Sequence, residues 1–430
     1  MEPAEVRRQC RVIKDAGWGG AFLHARIGLR TEYLGEAWFE ACAAAIDECK
    51  KIGLKVWLYD EEGWPSGISG GTVPLADEAF RHKALFARPV GVAAPPDSVP
   101  VGLPQHGLQV YHWTAPLGSW RFNGVCYADL LSRDAMAAFL DDAYASYHRR
   151  FGADYGNTIV AEFLDEPCAM VHVLVPAGTL PFTDCIFDAF IEDHGYDVRP
   201  HLHLLFQEGE GSARIRIHYG RTASRLFEIN FTKQLADWCA AHGIALTGHY
   251  MEGSLYEQQC KGNSIPQNYR HQQIPGIDHL CMQVAEIITA KQCHGVVNQY
   301  AKPRMLCETY GASGQNLSFA DRWWIGLHLL SLGVTLFNPH LSLFTMAGCR
   351  KRDFPPNLFF QQPWWPANHA VDEPLSRLCM ALSQGRCLAE ALVLHPQESA
   401  AALVCVRTDW DNPAALDGGC LLYTSDAADE

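Results

Sequence analysis

The chain has 430 residues, of which 48% are hydrophobic and 19% charged, and its formal net charge is −14. This composition is typical of a folded protein with a large core, and the acidic balance excludes the basic surface that nucleic-acid binding needs. No apolar run reaches the roughly 18–20 residues that span a bilayer, and no signal-peptide pattern opens the chain. We therefore expect no nucleic-acid and no membrane partner, and we predict a cytoplasmic location.

The first part of the chain alternates helix and strand patterns. Apolar residues recur at helical spacing in 3–16 and 38–51, and Gly53 follows the second helix where a left-handed residue is expected. Short apolar runs at 21–24 and 55–59 predict strands. Strands that alternate with helices in this way favour βα units and a parallel sheet.

This alternation continues to about residue 384 but is interrupted twice. The stretches 72–125 and 168–212 are expected to be insertions, because the first is rich in Pro and Gly and the second follows Pro167. Further helices are predicted at 133–151, 215–242, 284–292, 319–331 and 371–384. Further strands are predicted at 158–164, 244–250, 274–280, 304–311 and 334–340. Together with the first two strands, this gives seven strands of the barrel type.

The predicted domain organisation is one catalytic domain, 1–387, followed by a shorter second module, 388–419. A strand predicted at 391–395 begins this α/β module, which stops too soon to close a core. Residues 420–430 resemble translated adapter sequence, and we exclude them from the fold. The chain is accordingly expected to be a fragment.

Each of the seven predicted strands ends in a polar or charged residue, and these are His24, Asp60, Glu166, His249, Asp278, Glu308 and His340. In a (β/α)8 barrel the carboxyl ends of the parallel strands form the active-site face. The sequence therefore predicts a TIM-barrel-like (β/α)8 domain in which these side chains converge on one mouth. Insertions that follow strands fall on the same face, so both are expected to shape a substrate cleft.

Two glutamates are the leading catalytic candidates, because glycoside hydrolysis needs two carboxyl groups across the scissile bond. Glu166 follows Asp165 at the end of a buried strand, which favours a raised pKa and the role of general acid. Glu308, between Cys307 and Thr309, is the candidate nucleophile or base. The alternative is that one of the two glutamates forms only a structural salt bridge or hydrogen bond.

Other residues near the predicted strand ends are candidates for contacts with a sugar. Tryptophan is frequent near the loops, at Trp18, Trp64, Trp323, Trp324, Trp364 and Trp365. An indole ring suits the apolar face of a sugar, although packing in the core would also account for these residues. The side chains that we predict to bind substrate are His24, Arg26, Asp60, Glu61, Trp64, Asp165, His249, Tyr250 and His340.

Several other chemistries lack their motifs. The sequence has no H-E-x-x-H, Walker A or G-x-S-x-G motif, and no convincing G-x-G-x-x-G after a strand. His201 and His203 have the H-x-H spacing but lie in the second insertion, away from the strand ends. A transition-metal site is therefore not indicated, and nucleotide binding and serine hydrolysis are disfavoured.

Six motifs in order along the chain resemble a known group of enzymes, and they lie at 19–29, 57–67, 163–167, 246–250, 307–314 and 351–356. The chain resembles bacterial barrel glycoside hydrolases related to the α-L-rhamnosidases of glycoside hydrolase family 106 and, more distantly, barrel β-galactosidases. The resemblance covers about residues 10–396. It implies a carbohydrate substrate and α-L-rhamnosidase-like hydrolysis.

The resemblance also implies roles for the two glutamates. In barrels of the β-galactosidase type the acid follows strand four and the nucleophile follows strand seven, which Glu166 and Glu308 match if a first strand precedes Met1. The family-106 enzymes look inverting and calcium-assisted, whereas the β-galactosidase type retains configuration. No cofactor is certain, and calcium is an expectation from the resemblance alone. The alternatives are a retaining β-galactosidase-like glycosidase, a non-catalytic carbohydrate-binding barrel and a metal-dependent hydrolase.

Overall fold

The computed structural model of the protein describes residues 1–171, 178–250, 252–261, 264–385 and 387–404. Its strands are β1 Gly20–Ala25, β2 Lys55–Glu62, β3 Lys83–Pro89, β4 Ser98–Pro100, β5 Leu108–Thr114, β6 Ile159–Leu164, β7 Leu180–Phe182, β8 Ala245–Gly248, β9 Ile274–His279, β10 Leu306–Thr309 and β11 Leu336–Pro339.

The α-helices of the described residues are α1 Pro3–Asp15, α2 Glu36–Ile52, α3 Thr72–Ala76, α4 Arg133–Phe139, α5 Ala145–Phe151, α6 Ile186–His194, α7 Ser212–Phe227, α8 Gln234–Ala241, α9 Leu255–Cys260, α10 Ile265–Tyr269, α11 Ile288–Gln299, α12 Phe319–Leu332, α13 His369–Leu382 and α14 Gln397–Leu403. Single π-helical segments join α4 to α5 and α7 to α8. No helix in these ranges is both long and apolar enough to cross a membrane.

The larger sheet contains seven parallel strands in the order β1-β2-β6-β8-β9-β10-β11. Spatial order follows chain order, with helices between successive strands, as in a barrel of βα units. The strands at its two ends, β1 and β11, both line one cavity of about 950 Å³. The sheet is compatible with a TIM-like barrel, and an eighth strand is not among the described residues.

Side chains from both faces of this sheet are buried. One apolar cluster takes a residue from each of six strands, and its members are Phe22, Tyr59, Phe163, Ile274, Leu306 and Leu336. The chain neighbours Leu58, Leu164 and Cys307 belong instead to the main core, which also contains the apolar sides of the helices. Successive residues of a strand point to opposite faces, so strands covered on both sides need nearly continuous apolar runs. This accounts for the strand patterns in the sequence.

The two insertions meet in a second, antiparallel sheet. Its strand order is β4-β5-β3-β7. The first three strands in this order lie within 72–125, the first stretch that was expected to be an insertion. β7 belongs to the second insertion, 168–212, whose residues 172–177 lie outside the described part of the chain. Both insertions therefore contribute to one accessory layer beside the parallel sheet.

The structure departs most from the predicted elements at two places. The helix predicted at 284–292 begins only at Ile288, because the Gln283 side chain accepts from the backbone N–H groups of Ala285 and Glu286 and holds a turn there. The strand predicted at 391–395 pairs with neither sheet, and most of its side chains are exposed. An apolar run forms a strand only where a partner strand offers hydrogen bonds. The rest of the predicted second module, 405–419, and the excluded residues 420–430 lie outside the described residues.

Candidate active site

Four carboxylates meet at the carboxyl ends of three strands of the parallel sheet. Asp165 and Glu166 follow β6, Asp278 lies near the end of β9, and Glu308 lies near the end of β10. They line a single small pocket, whose other lining residues are Arg26, Trp64, Leu280, His340 and Phe354. The structure therefore places the two candidate catalytic glutamates in one pocket at the mouth of the parallel sheet.

Glu166 occupies a tight turn directly after its strand. Its φ of 43° lies in the left-handed region, which a side chain other than glycine adopts rarely and which is found often at functional sites. The turn is held to the end of β8, because the Glu166 N–H donates to the carbonyl of His249 at 3.1 Å. Glu166 is half-buried as a residue, and it lines the pocket.

Glu308 is buried and contacts two histidines. Its carboxylate accepts a hydrogen bond from Nε2 of His249 at 3.2 Å, and Nε2 of His340 lies 3.5 Å away. Burial alone would raise the pKa of Glu308, but the hydrogen bond from His249 lowers it below its usual value. Glu308 is therefore an ionised carboxylate at neutral pH, as a nucleophile or base must be.

His249 lies between two carboxylates. Its Nε2 is 3.2 Å from Glu308 and 3.6 Å from Asp165, and only 1% of the residue is exposed. Burial alone would lower the pKa of His249, but the hydrogen bond to Glu308 and the charges of Asp165 and Asp278 raise it well above its usual value. A protonated imidazole here donates to Glu308 and stabilises its negative charge.

The pKa of Glu166 is raised, whereas that of Glu308 is lowered. Burial raises the pKa of Glu166, and the negative charge of Glu308 adds to the increase, against the opposing charge of His249. One pocket thus holds a glutamate whose pKa is raised and a glutamate whose pKa is lowered. Such a difference is how two carboxyl groups take the separate roles of acid and base.

Asp165 orients the groups around the pair. It accepts a hydrogen bond from the hydroxyl of Tyr59, and Arg26 lies 3.9 Å away. Arg26 is itself fixed by two hydrogen bonds to Asp353, at 2.7 and 3.0 Å. Burial raises the pKa of Asp165 to about 7, although the charge of His249 opposes the increase. Asp165 therefore serves mainly to position His249 and Tyr59.

Two residues that were predicted to bind substrate, Asp60 and Tyr250, form hydrogen bonds inside the protein instead. Asp60 is buried and accepts hydrogen bonds from Ser66 at 2.6 Å and Tyr144 at 2.9 Å. Tyr250 points into the core, where its hydroxyl donates to Thr232 at 3.1 Å. The structure does not bring the side chains of Asp60 and Tyr250 to the pocket.

His24 stacks on the ring of Tyr59. Its Nε2 is 3.1 Å from the carbonyl of Gly63, and its ring lines the cavity of about 950 Å³ rather than the carboxylate pocket. Burial holds the pKa of His24 well below its usual value, so the ring is neutral. His340 lines both cavities, and burial lowers its pKa to about 4.

Among the six tryptophans of the predicted aromatic cleft, Trp64 is the one that lines the carboxylate pocket. Trp18 donates to Asp372 and packs on Trp365, and Trp364 packs on Phe319. Trp324 lies on α12 and is half-exposed. The aromatic surface of the pocket is therefore smaller than the sequence pattern indicated.

Glu61 holds the loop after β2. It is fully buried, and its two carboxylate oxygens accept from the backbone N–H groups of Glu62, Gly67, Ile68, Ser69 and Gly70. Burial raises its pKa to about 7 against these hydrogen bonds. The same loop carries Ser66, whose hydroxyl accepts from the N–H of Asp165 at 2.8 Å. Glu61 therefore acts on the pocket through the loop rather than by contact with substrate.

We expect Glu61→Gln to destabilise the protein by about 3 kcal/mol, because an amide offers one acceptor oxygen where the carboxylate offers two and sets its NH₂ group against N–H donors. Urea unfolding measures the change. The matched control is Glu62→Gln, because Glu62 is only half-buried and its carboxylate accepts one hydrogen bond from the side chain of Asn123. This control should change the free energy of unfolding by less than about 1 kcal/mol. Equal losses in both variants would contradict the role assigned to Glu61.

Two acidic residues of the site were not among the predicted site residues. Asp278 was recognised as a strand end but given no role, and Glu252, after β8, was not singled out. Glu252 accepts from the hydroxyl of Tyr269 at 2.7 Å and from the N–H of Asp278 at 3.2 Å. Burial raises the pKa of Glu252 to about 8 and that of Asp278 well above its usual value. Their positions, near the end of β9 and shortly after β8, are the sequence signal that could have identified them.

The pocket offers carboxylate oxygens of the kind that a calcium ion needs. Ligand atoms of Glu166, His249 and Asp278 lie within 4.8 Å of one another, as do those of Asp165, His249 and Glu308. Calcium prefers oxygen ligands, so His249 does not contribute. Oδ1 of Asp278 is buried and has no hydrogen-bond partner among the described residues. Asp278 therefore offers the oxygen ligand that a hard cation needs.

No protein-family model matches the chain, and no curated protein matches its sequence. Among solved structures, a rhamnosidase from Novosphingobium sp. PP1Y is similar, with a TM-score of 0.69 and 13% sequence identity over 90% of this chain and 58% of that chain. An endo-1,4-beta-mannanase from Rhizomucor miehei has a TM-score of 0.45 and 8% identity, over 90% of this chain and 92% of that one. The second TM-score is too low to support an argument.

At 13% identity, the likeness to the rhamnosidase concerns the fold. It shows that the parallel sheet, its helices and their order belong to an arrangement that also occurs in a glycoside hydrolase. The chain spans 58% of the length of that rhamnosidase. The fold of this chain is thus similar to that of a known rhamnosidase over most of its residues.

Proposed function

We propose that the protein is a glycoside hydrolase, most similar in activity to the α-L-rhamnosidases, that cleaves plant or microbial oligosaccharides or polysaccharides. The observation that carries the proposal is the pair Glu166 and Glu308, which line one pocket and whose pKa values move in opposite directions. Glycoside hydrolysis needs one protonated and one ionised carboxyl group at the scissile bond. The fold shared with a rhamnosidase is a further support.

The proposed mechanism assigns one task to each group. Glu166 gives its proton to the glycosidic oxygen as the bond breaks. Glu308 attacks the anomeric carbon or deprotonates a water that attacks it. His249 donates to Glu308 and keeps it ionised, and Asp165 holds His249 in place. Trp64 offers an aromatic face to the sugar ring.

Hydrolysis of 4-nitrophenyl glycosides tests the proposal, with the α-L-rhamnoside and the β-D-galactoside as the first substrates. Release of nitrophenol from the rhamnoside supports the α-L-rhamnosidase-like activity, and release from the galactoside favours the retaining β-galactosidase-like alternative. A folded protein that is silent on every glycoside but still binds sugars would favour a carbohydrate-binding barrel. Proton NMR of the first product formed identifies retention or inversion at the anomeric carbon.

We further propose that the protein binds calcium through Asp278, whose Oδ1 has no hydrogen-bond partner among the described residues. The ion would neutralise this carboxylate and would bind sugar hydroxyls as further ligands. Removal of calcium with EDTA is expected to lower the melting temperature by about 2 °C or more relative to protein in excess calcium.

Differential scanning calorimetry with and without calcium checks this prediction. Asp278→Asn should remove the calcium-dependent shift. Glu228→Gln should keep the shift, because Glu228 is a buried glutamate that pairs with Arg270 and His271. A melting temperature that does not respond to millimolar calcium would contradict calcium binding.

A further inference from the structure

An exposed aromatic side chain lies beside the carboxylate pocket, on a turn that we call the rim turn, residues 118–125. Trp120 begins a single 3-10 turn at the tip of the rim turn, and 84% of its surface is exposed. Tryptophan usually loses most of its surface to packing, because its ring is large and mainly apolar. An indole displayed to solvent at the edge of a binding pocket is therefore a candidate for contact with a ligand.

The backbone of the rim turn is fixed by hydrogen bonds. The N–H of Gly118 donates to the carbonyl of Gly124 at 2.9 Å, and the N–H of Ser119 donates to the carbonyl of Val125 at 2.8 Å. The N–H of Gly124 returns a bond to Ser119 at 2.8 Å. Trp120 is thus carried by an ordered turn, so a ligand that contacts it does not have to order the backbone first.

The rim turn is also attached to the loop that follows β2. Phe122 is buried and stacks on Tyr127 with ring centres 5.3 Å apart, and the Tyr127 hydroxyl donates to the carbonyl of Ser66 at 2.6 Å. Nδ2 of Asn123 donates to the carboxylate of Glu62 at 3.1 Å. The first insertion therefore places its exposed tryptophan at a fixed position relative to the loop that carries Trp64.

Arg121 connects the two tryptophans. Its Cζ lies 5.7 Å from the ring centre of Trp64 and 5.6 Å from that of Trp120. Trp64 lines the pocket that contains Glu166 and Glu308. The indole of Trp64 lies in the pocket. It is followed towards solvent by the guanidinium group of Arg121 and then by the exposed indole of Trp120.

We propose that Trp120 forms an outer subsite that binds a second pyranose ring of an oligosaccharide whose terminal sugar occupies the carboxylate pocket. Trp64 lines the pocket, and Arg121 lies between Trp64 and Trp120, so a substrate chain that leaves the pocket past Trp64 reaches the rim turn. The face of a pyranose ring presents C–H groups that stack on indole, and Arg121 can donate hydrogen bonds to ring hydroxyls. This inference rests on the proposed hydrolase function and narrows the substrate to an oligosaccharide.

Two substrates that share the terminal sugar test the subsite, namely 4-nitrophenyl α-L-rhamnoside and a trisaccharide that ends in α-L-rhamnose. For Trp120→Ala, kcat/KM on the trisaccharide should fall about tenfold relative to kcat/KM on the aryl rhamnoside, because one stacking contact is lost. Trp120→Phe should recover much of the ratio. Trp324→Ala, a half-exposed tryptophan on α12, is the control and should leave the ratio unchanged.

Calorimetry measures binding of the trisaccharide to the Glu308→Gln variant, with and without the additional change Trp120→Ala. This measurement separates the outer subsite from the proposed hydrolase function. If the protein hydrolyses the aryl rhamnoside but Trp120→Ala changes neither the ratio nor the binding, the outer subsite is overturned and the hydrolase stands. If no glycoside is cleaved but binding falls about tenfold with Trp120→Ala, the subsite stands and the hydrolase is overturned. If no glycoside is cleaved and binding of the trisaccharide does not depend on Trp120, both the hydrolase function and the outer subsite are overturned.

Discussion

Glu308→Gln is expected to lower kcat on an aryl glycoside by about 10³-fold or more while the protein stays folded. The carboxylate of Glu308 is the group of the pocket that is held ionised, by a hydrogen bond from His249 at 3.2 Å. An amide of the same shape has no negative charge with which to attack the anomeric carbon or to deprotonate water. The loss should appear with every leaving group, because the step that Glu308 performs does not depend on the aglycone.

Steady-state kinetics with the aryl rhamnoside, together with a thermal melt of each variant, check this prediction. The control for removal of a buried charge is Glu228→Gln, on the outer helices, where Glu228 pairs with Arg270. It should lower the melting temperature without a comparable loss of kcat. Near-normal turnover by Glu308→Gln would remove Glu308 from the mechanism, and with it the proposed pair.

The fold could be predicted largely from the sequence, because strands covered on both faces need long apolar runs and helices need apolar residues at helical spacing. The boundaries were less predictable. The strand β2 was expected to end at Tyr59 but continues to Glu62. Asp60 and Glu61 are buried there because partners distant in space satisfy them, namely Tyr144 for Asp60 and the loop N–H groups for Glu61. A sequence does not show such partners.

Those residues of the candidate site that follow the strands could be predicted from the sequence. Glu166, Glu308 and His249 lie together because the carboxyl ends of parallel strands meet at one edge of a sheet. Tyr250 was assigned to the same site but faces the core. Adjacent residues at a strand end point in opposite directions, so when His249 faces the pocket its neighbour faces away. The choice of which one faces the pocket depends on packing against Tyr269 and Phe227, which only the structure shows.

Glu166→Gln is expected to have an effect that depends on the leaving group. With a poor leaving group such as phenol or a sugar, kcat/KM should fall by about 10³-fold, because the departing oxygen needs the proton that Glu166 supplies. With 2,4-dinitrophenol, which leaves as an anion without help, the loss should be less than about tenfold. Burial raises the pKa of the Glu166 carboxyl group, which favours its role as a proton donor.

The pH dependence gives a second readout of the same variant. The acid works only when protonated, so the activity of the unmodified protein should fall as pH rises through the raised pKa of Glu166. Glu308 works only when ionised, so activity should also fall as pH drops through its lowered pKa. Glu166→Gln should abolish the alkaline limb and keep the acidic one. If the alkaline limb is unchanged, or if the loss is equal with both leaving groups, the acid is another residue of the pocket. Asp278, whose pKa is also raised, would then be the next residue to test.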